Sequence, residues 1–237
     1  MTNSKFFLGI ETSTTNCSVG LFKGELLIDI LEEDNGYSHS EKLGVFTKEL
    51  LNRNAISISD IYVIAIGVGP GSYTGLRIGV SFVKGLAFVH KIPIIKFTSL
   101  EIMANVYING RVLNEGDVLI PMIDARRDEV YCQVLDNKLN PISDIYSHVI
   151  NSDSFSEYSG QANKILCFGP GSFKLKSTVD LNNLQLVEGV VPSACGFSRT
   201  LIGKYEAKCY EELAYFEPFY LKEFFAGKPK RSLLSPG

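Results

Sequence analysis

The sequence predicts an α/β protein built from two related lobes, and three observations predict it. An apolar run at 61–68 meets Gly69-Pro70-Gly71-Ser72-Tyr73-Thr74-Gly75-Leu76-Arg77-Ile78-Gly79, and 76–89 then has helical length. That reads as a buried strand, a glycine turn and a helix. The turn recurs as Gly169-Pro170-Gly171-Ser172, again behind an apolar run at 165–168. Each turn is preceded by the same series, a strand ending in a carboxylate (Glu11 for 6–11, Asp124 for 118–124) and a hairpin return. Gly-Pro-Gly is a common turn, and coincidence would account for the turn alone. The ordered agreement of strand, return and turn favours duplication.

The other elements follow in order. Residues 5–10 and 17–22 read as strands, and Lys23-Gly24-Glu25 turns the chain into a third at 26–31. Tyr37-Ser38-His39-Ser40-Glu41 opens a helix, with Ser38 as N-cap and Glu41 completing a capping box. Leu43, Phe46 and Leu50 form its apolar stripe. Residues 92–97 form another strand, and Thr98 with Glu101 makes a second capping box before the next helix. In the second half 129–135 is the hairpin return. These elements divide the chain into lobes at 1–100 and 101–225, with a flexible tail at 226–237. A last helical stretch at 211–225 is expected to pack back across the boundary.

Bulk properties narrow the function. The 237 residues are 45% hydrophobic and 21% charged, as in an ordinary soluble protein. A net charge of −3 gives no global basic field for nucleic acid. Lys228, Lys230 and Arg231 cluster beside Gly227 and Pro229, as a solvated end would. Cys17, Cys132, Cys167, Cys195 and Cys209 show no C-x-x-C pairing, which suits reduced thiols of a cytosolic protein. No signal peptide is visible and no apolar run approaches spanning length, so no membrane association is expected.

Residues 69–79, together with Leu8-Gly9-Ile10-Glu11-Thr12-Ser13, His39-Ser40-Glu41-Lys42-Leu43, Thr98-Ser99-Leu100-Glu101, 123–131 and Pro218-Phe219-Tyr220-Leu221-Lys222, resemble the bacterial TsaB (YeaZ) family. These are the non-catalytic members of the tRNA threonylcarbamoyladenosine machinery. The likeness is dense over 6–135 and thin over 136–215. It implies the two-lobe actin-like (ASKHA) fold with ribonuclease H-like duplicated lobes. It implies a cytoplasmic partner of TsaD, as a heterodimer, and of the ATPase TsaE, and a homodimer when alone. Such a protein meets tRNA only through the complex. It needs no cofactor of its own, with ATP or ADP reserved for the partner interface. The motif residues carried over are Gly69, Pro70, Gly71, Ser72, Thr74, Gly75, Arg77, Asp124 and Arg126.

Candidate chemistry divides between a functional and a plain reading. Glu11, Thr12 and Ser13 end the first strand, where catalytic relatives face nucleotide phosphates and Mg²⁺. Either they keep an eroded nucleotide face or their hydroxyls satisfy a hairpin end. Asp124-Ala125-Arg126 stands at the second phosphate loop, where kinases and actin-like ATPases carry glycine two residues after the Asp. Arg126 blocks that backbone approach. Arg126 and Arg127 serve either an anion or an interface. The metal-binding His-x-x-x-His of TsaD reads His39…Leu43 here, so no metal is expected. Ser72 and Ser172 are not in Gly-x-Ser-x-Gly, His90 and His148 follow no triad order, and no catalytic residue is assigned. Old glycoprotease (M22-like) labels find no support.

The 76–89 helix is apolar nearly all round, with Arg77 and Lys84 its charged residues. A helix of that kind needs cover on both sides. Gly75 and Gly79 would let another backbone approach. The 40–52 helix can supply the cover, or a second subunit can. The sequence and the resemblance favour a subunit interface of Leu43, Phe46, Leu50, Gly75, Leu76, Gly79, Val80 and Val83. An actin-like small-molecule kinase or ATPase is the enzyme alternative, and a tRNA-binding module the other.

Overall fold

Short apolar strands set the frame, and the computed structural model describes residues 4–34, 36 and 39–222. β1 (Phe6–Glu11), β2 (Cys17–Lys23) and β3 (Leu26–Glu33) form an antiparallel meander. β4 (Ile61–Gly67) adds in parallel to β1, and β5 (Ile94–Phe97) in parallel to β4. The order is β3-β2-β1-β4-β5. In the second half β6 (Val118–Asp124), β7 (Glu129–Cys132), β8 (Tyr146–Val149), β9 (Ile165–Phe168) and β10 (Leu184–Val187) make a sheet of order β10-β9-β6-β7-β8. Read from its other edge, this is the first sheet again. The antiparallel and parallel pairings also agree strand for strand. β7 stops at Cys132, short of the expected 135, because Leu135 bridges separately to Leu119 and Pro141.

The helices are shared between the lobes. α1 (His39–Arg53) and α2 (Tyr73–His90) cover one face of the first sheet, where Leu43, Leu50, Val80, Val83 and Ala87 meet Leu8, Ile10, Val19 and Leu21. The expected cap Ser38, with Tyr37, lies outside the described residues. The opposite face holds Phe7, Phe22, Val63 and Phe97, and is covered by Ala194, Phe197 and Leu201 from beyond the second sheet. Leu201 begins α4 (Leu201–Glu206). In exchange, α3 (Ser99–Ile108) follows β5 but packs Leu100, Met103, Ala104 and Tyr107 on Leu119, Ile123, Leu166 and Phe168 of the second sheet. Its Ile102 still faces the first. α3 is therefore the helix buried on nearly every side. α2, expected in that role, leaves Phe88 65% and Val89 68% exposed. Thr98 caps α3 through the Glu101 N–H at 3.1 Å. The Glu101 carboxylate turns to Lys204 at 2.8 Å, so only half of the expected capping box forms.

The expected helix at 211–225 is absent from 211–222, and 223–225, like the tail with Lys228, Lys230 and Arg231, lie outside the described residues. Pro218 explains the difference, since it removes a donor and disfavours helical backbone at Glu217. The segment instead runs as a strap over the first lobe. The Glu211 N–H donates to the Ile94 carbonyl at 2.9 Å and the Phe219 N–H to Val68 at 2.8 Å. Phe216 is 3% exposed and inserts into the α1–α2 core. Phe216→Ala should cost about 3–5 kcal/mol and lower Tm by roughly 10 °C. Calorimetry giving an unchanged Tm would remove the strap from the core.

Candidate functional site

The glycine turn and the end of β1 form one packed unit. The Ser72 N–H donates to the Ser13 carbonyl at 2.6 Å, and Thr12 Oγ1 donates to the Gly75 carbonyl at 2.9 Å. Ser72 Oγ caps α2 by accepting from the Gly75 N–H at 3.2 Å. A Cβ on Gly71 would collide with the Ser13 carbonyl oxygen, one on Gly75 with that of Thr12, and one on Gly79 with Thr12 Oγ1. A turn of this kind suits an anion or a close neighbour, and here the neighbour fills it. Gly69 takes φ 111° and its carbonyl accepts from the Ser99 N–H, which ties the turn to α3.

This packing seals the first carboxylate. Glu11 and Thr12 are 0% exposed and Ser13 is 1% exposed. Glu11 Oε1 accepts from the Ser13 N–H, and among the described residues Oε2 has no partner. The Glu11 Oε2 atom lies against Gly67, with no space for a Cβ between them. Burial lifts the Glu11 carboxyl from its ordinary 4.5 to about 6, against hydrogen bonds from Ser13 and Thr12 that lower it. Glu11, Thr12 and Ser13 thus present no open nucleotide face. Thr12 satisfies the α2 backbone instead.

The second carboxylate is exposed and paired. Asp124 accepts from the Arg126 N–H at 2.7 Å and forms an ion pair with Lys174, whose ammonium also donates to the Glu129 carbonyl at 2.7 Å. Lys174 comes from the second glycine turn. Ser172 there opens only a short 3-10 turn, Ser172–Leu175, where Ser72 opens an 18-residue helix. Arg126 stands at φ 70° and Arg127 at φ 49°. The backbone keeps the left-handed course that glycine favours while carrying two bulky side chains. His39 is buried, its Nε2 unpartnered among the described residues, and desolvation pushes its pKa down. No group of three His, Cys, Asp or Glu among the described residues could hold a metal ion.

The expected interface residues need correction. Leu43, Leu50, Gly75, Leu76, Gly79, Val80 and Val83 are all buried within the chain itself, and Phe46 is half-buried. Gly75 and Gly79 serve the Thr12 contact, so they are unavailable to a neighbouring backbone. The outer face of the layer carries Val45, 55% exposed, with Phe88 and Val89, and half-buried Ile78, Phe82 and Leu86. Among the described residues a Cβ on Gly85 would meet open space, and one on Gly44 would meet only the Phe82 ring edge, at 3.8 Å. Spacing on the helices held this signal: 44–45 and 81, 85, 88 and 89 lie opposite the buried stripe. At the front of the turn Thr74 and Arg77 are exposed. The Arg77 guanidinium lies 4.0 Å from the Tyr73 ring, and its Nε donates to the Tyr220 hydroxyl at 3.1 Å.

Two sheets of one order, each with Gly-Pro-Gly-Ser after its fourth strand, define a duplicated-lobe α/β protein of the actin-like kind. A protein in the solved structure described as uncharacterized with similarity to peptidase YeaZ, from Pseudomonas aeruginosa, shares this fold. Its TM-score is 0.80 at 23% identity, covering 92% of this chain and 100% of that one. The family whose pattern matches residues 32–164 is described as TsaD, tRNA N6-adenosine threonylcarbamoyltransferase, and the chain belongs to it. Relatives carry the name tRNA threonylcarbamoyladenosine biosynthesis protein TsaB. The one from Haemophilus influenzae is 33% identical over 52% of this chain and 51% of its own. The one from Bacillus subtilis is 36% identical over 52% of each. The chain spans about half the length of the curated relatives it matches.

Two outcomes follow from this packing. Gly79→Ala should cost roughly 1–3 kcal/mol by overpacking, read as a lower Tm, and Gly79→Arg should unfold the lobe rather than report on association. A Gly79→Arg protein with wild-type circular dichroism and Tm would contradict the Thr12 contact. The raised Glu11 pKa means that the folded state holds its proton to higher pH than the unfolded state. Its stabilising contribution is full below about 4.5 and is lost as pH rises through about 6. The stability of wild type relative to Glu11→Gln should fall by roughly 2 kcal/mol across that window. Denaturant titrations giving a flat difference would show that Glu11 titrates normally.

Proposed function

We propose that this chain is a non-catalytic subunit of the machinery that places threonylcarbamoyl on the adenosine beside the anticodon. The target tRNAs are those reading codons that begin with A. It associates with TsaD as a heterodimer and works with TsaE, and it pairs with itself when alone. Its contribution is to order its partner by favouring one conformation of it. It works in the cytoplasm and meets tRNA within the complex.

The state of the two strand-end carboxylates carries this reading. Glu11 is sealed under the glycine turn and Asp124 is paired with Lys174. Arg126 fills the place where backbone would approach phosphate. A kinase or ATPase needs both carboxylates open to nucleotide and metal, so that alternative is disfavoured. ATP or ADP remains a ligand of the partner interface in this reading. The outer face of α1 and α2, with Val45, Phe88 and Val89 exposed, supplies apolar surface for the partner.

Complementation tests the proposal. In a host depleted of its own TsaB, the wild-type chain should restore the modified adenosine, measured by mass spectrometry of digested tRNA. Val45→Asp with Phe88→Asp should stay folded, because both side chains are exposed, yet lose TsaD capture and the modification. The purified chain with Mg²⁺ and ATP should show no turnover above background. Turnover in the usual enzyme range of roughly 1–1,000 per second, abolished by Asp124→Ala, would overturn the non-catalytic reading.

A further inference from the structure

We infer that Arg126 and Arg127, with the Tyr73–Arg77–Tyr220 cluster, form a ridge that binds RNA through its phosphates and one or two stacked bases. The ridge crosses both lobes. Arg77 at the start of α2 lies against Tyr73, and the Tyr73 and Tyr220 rings are 5.1 Å apart. Two residues on, Lys222 pairs with Glu129 of the second lobe. The Glu129 N–H donates to the Arg126 carbonyl at 3.2 Å, which brings the ridge to the arginine turn.

Three observations set this surface apart from an ordinary charged face. Arg126 and Arg127 are consecutive residues with left-handed backbone, at φ 70° and 49°. Left-handed backbone occurs singly elsewhere in the chain, as at Ala55 and Leu139, but here it is carried by two consecutive bulky residues where glycine or asparagine would remove the strain. Both side chains are exposed, and neither forms a salt bridge among the described residues. The neighbouring acids are also largely neutralised. Asp124 is held by Lys174 and Glu129 by Lys222, whose ammonium keeps the Glu129 carboxyl below its usual range. Asp128 alone of the turn's acids stays exposed without an ion pair among the described residues. A local positive field therefore survives on a chain of net charge −3.

Cations interleaved with half-exposed tyrosine rings suit single-stranded or looped RNA, which offers phosphates and unstacked bases in alternation. An acidic peptide would use the cations and leave the rings idle. The choice of RNA as the polyanion rests on the tRNA reading above.

The test uses the full chain and a fluorescein-labelled anticodon stem–loop RNA from a tRNA that reads codons beginning with A. Binding is followed by anisotropy between about 50 and 200 mM salt. Arg126→Asn with Arg127→Asn keeps residues that tolerate the left-handed backbone, so circular dichroism and Tm should match the wild type. Affinity should fall at least tenfold, and the salt slope should drop by about two, one for each lost phosphate contact. Lys138→Asn with Lys164→Asn, exposed elsewhere, should change neither. Unchanged affinity and slope in the arginine variant would overturn the ridge. So would an equal loss in the lysine control, or displacement of the RNA by an equal concentration of polyglutamate. These results leave the partner function standing. Failure of the wild-type chain to restore the tRNA modification would overturn that function and leave the RNA measurement intact.

Discussion

The contact between the glycine turn and the end of β1 fixes the rest of the first lobe. Ser13 and Thr12 accept and donate the bonds that set the direction of α2. Gly71, Gly75 and Gly79 let that helix lie on the strand end at backbone distance. Once α2 is set there, α1 packs beside it and Leu43, Leu50, Val80 and Val83 close one face of the sheet. Glu11 is sealed by the same approach, and Gly69 hands the chain to α3. The strap then covers the turn from outside through the Phe219–Val68 bond. A side chain added at any of the three glycines would disturb all of these together.

The duplication explains both the likeness of the lobes and their inequality. Identical strand order and pairing place Glu11 and Asp124 at equivalent ends. The first copy carries α1 and α2 on one face, whereas among the described residues the second has only short turns there. Its far face is made by Ile150, Phe155 and Leu175 from loops and a 3-10 turn. The exchange of α3 for the segment at 194–206 ties the lobes together, because each sheet is covered on one side by the other half's chain. Unfolding either lobe exposes core of both.

The strands, the α1 and α2 helices and the duplication were legible in the sequence because their signals are local. Apolar runs, caps and glycine turns act over a few residues. Which face of a helix meets which neighbour depends on tertiary placement, and there the reading of α2 failed. Gly75 and Gly79 look alike whether they admit a partner's backbone or Thr12. Only the position of β1 decides, and β1 is more than sixty residues away in sequence. Gly44 and Gly85, which do open outward, sit in no recognisable motif. The strap was expected as a helical stretch at 211–225, although Pro218 stands within it. The Lys174–Asp124 pair could not be read at all, since it joins residues fifty apart through a fold.

The two carboxylates are engaged by different physics, Asp124 by pairing in the open and Glu11 by burial, and that difference bears on how firmly the lobe pair is committed to binding. Asp124 is neutralised by an ion pair and a crowded backbone. Removing Lys174 would free its charge, yet the Arg126 side chain would still keep the turn's backbone from the close approach that glycine allows. Glu11 is closed by close packing, so opening it means moving α2, and with α2 the α1 layer and the strap. A single substitution can change the first arrangement and cannot change the second without unfolding core. The surfaces that remain adjustable are therefore external ones, the Val45–Phe88–Val89 face and the arginine ridge. The Val45–Phe88–Val89 face and the arginine turn lie outside the packed unit at the glycine turn, so each is free to be shaped by what it touches.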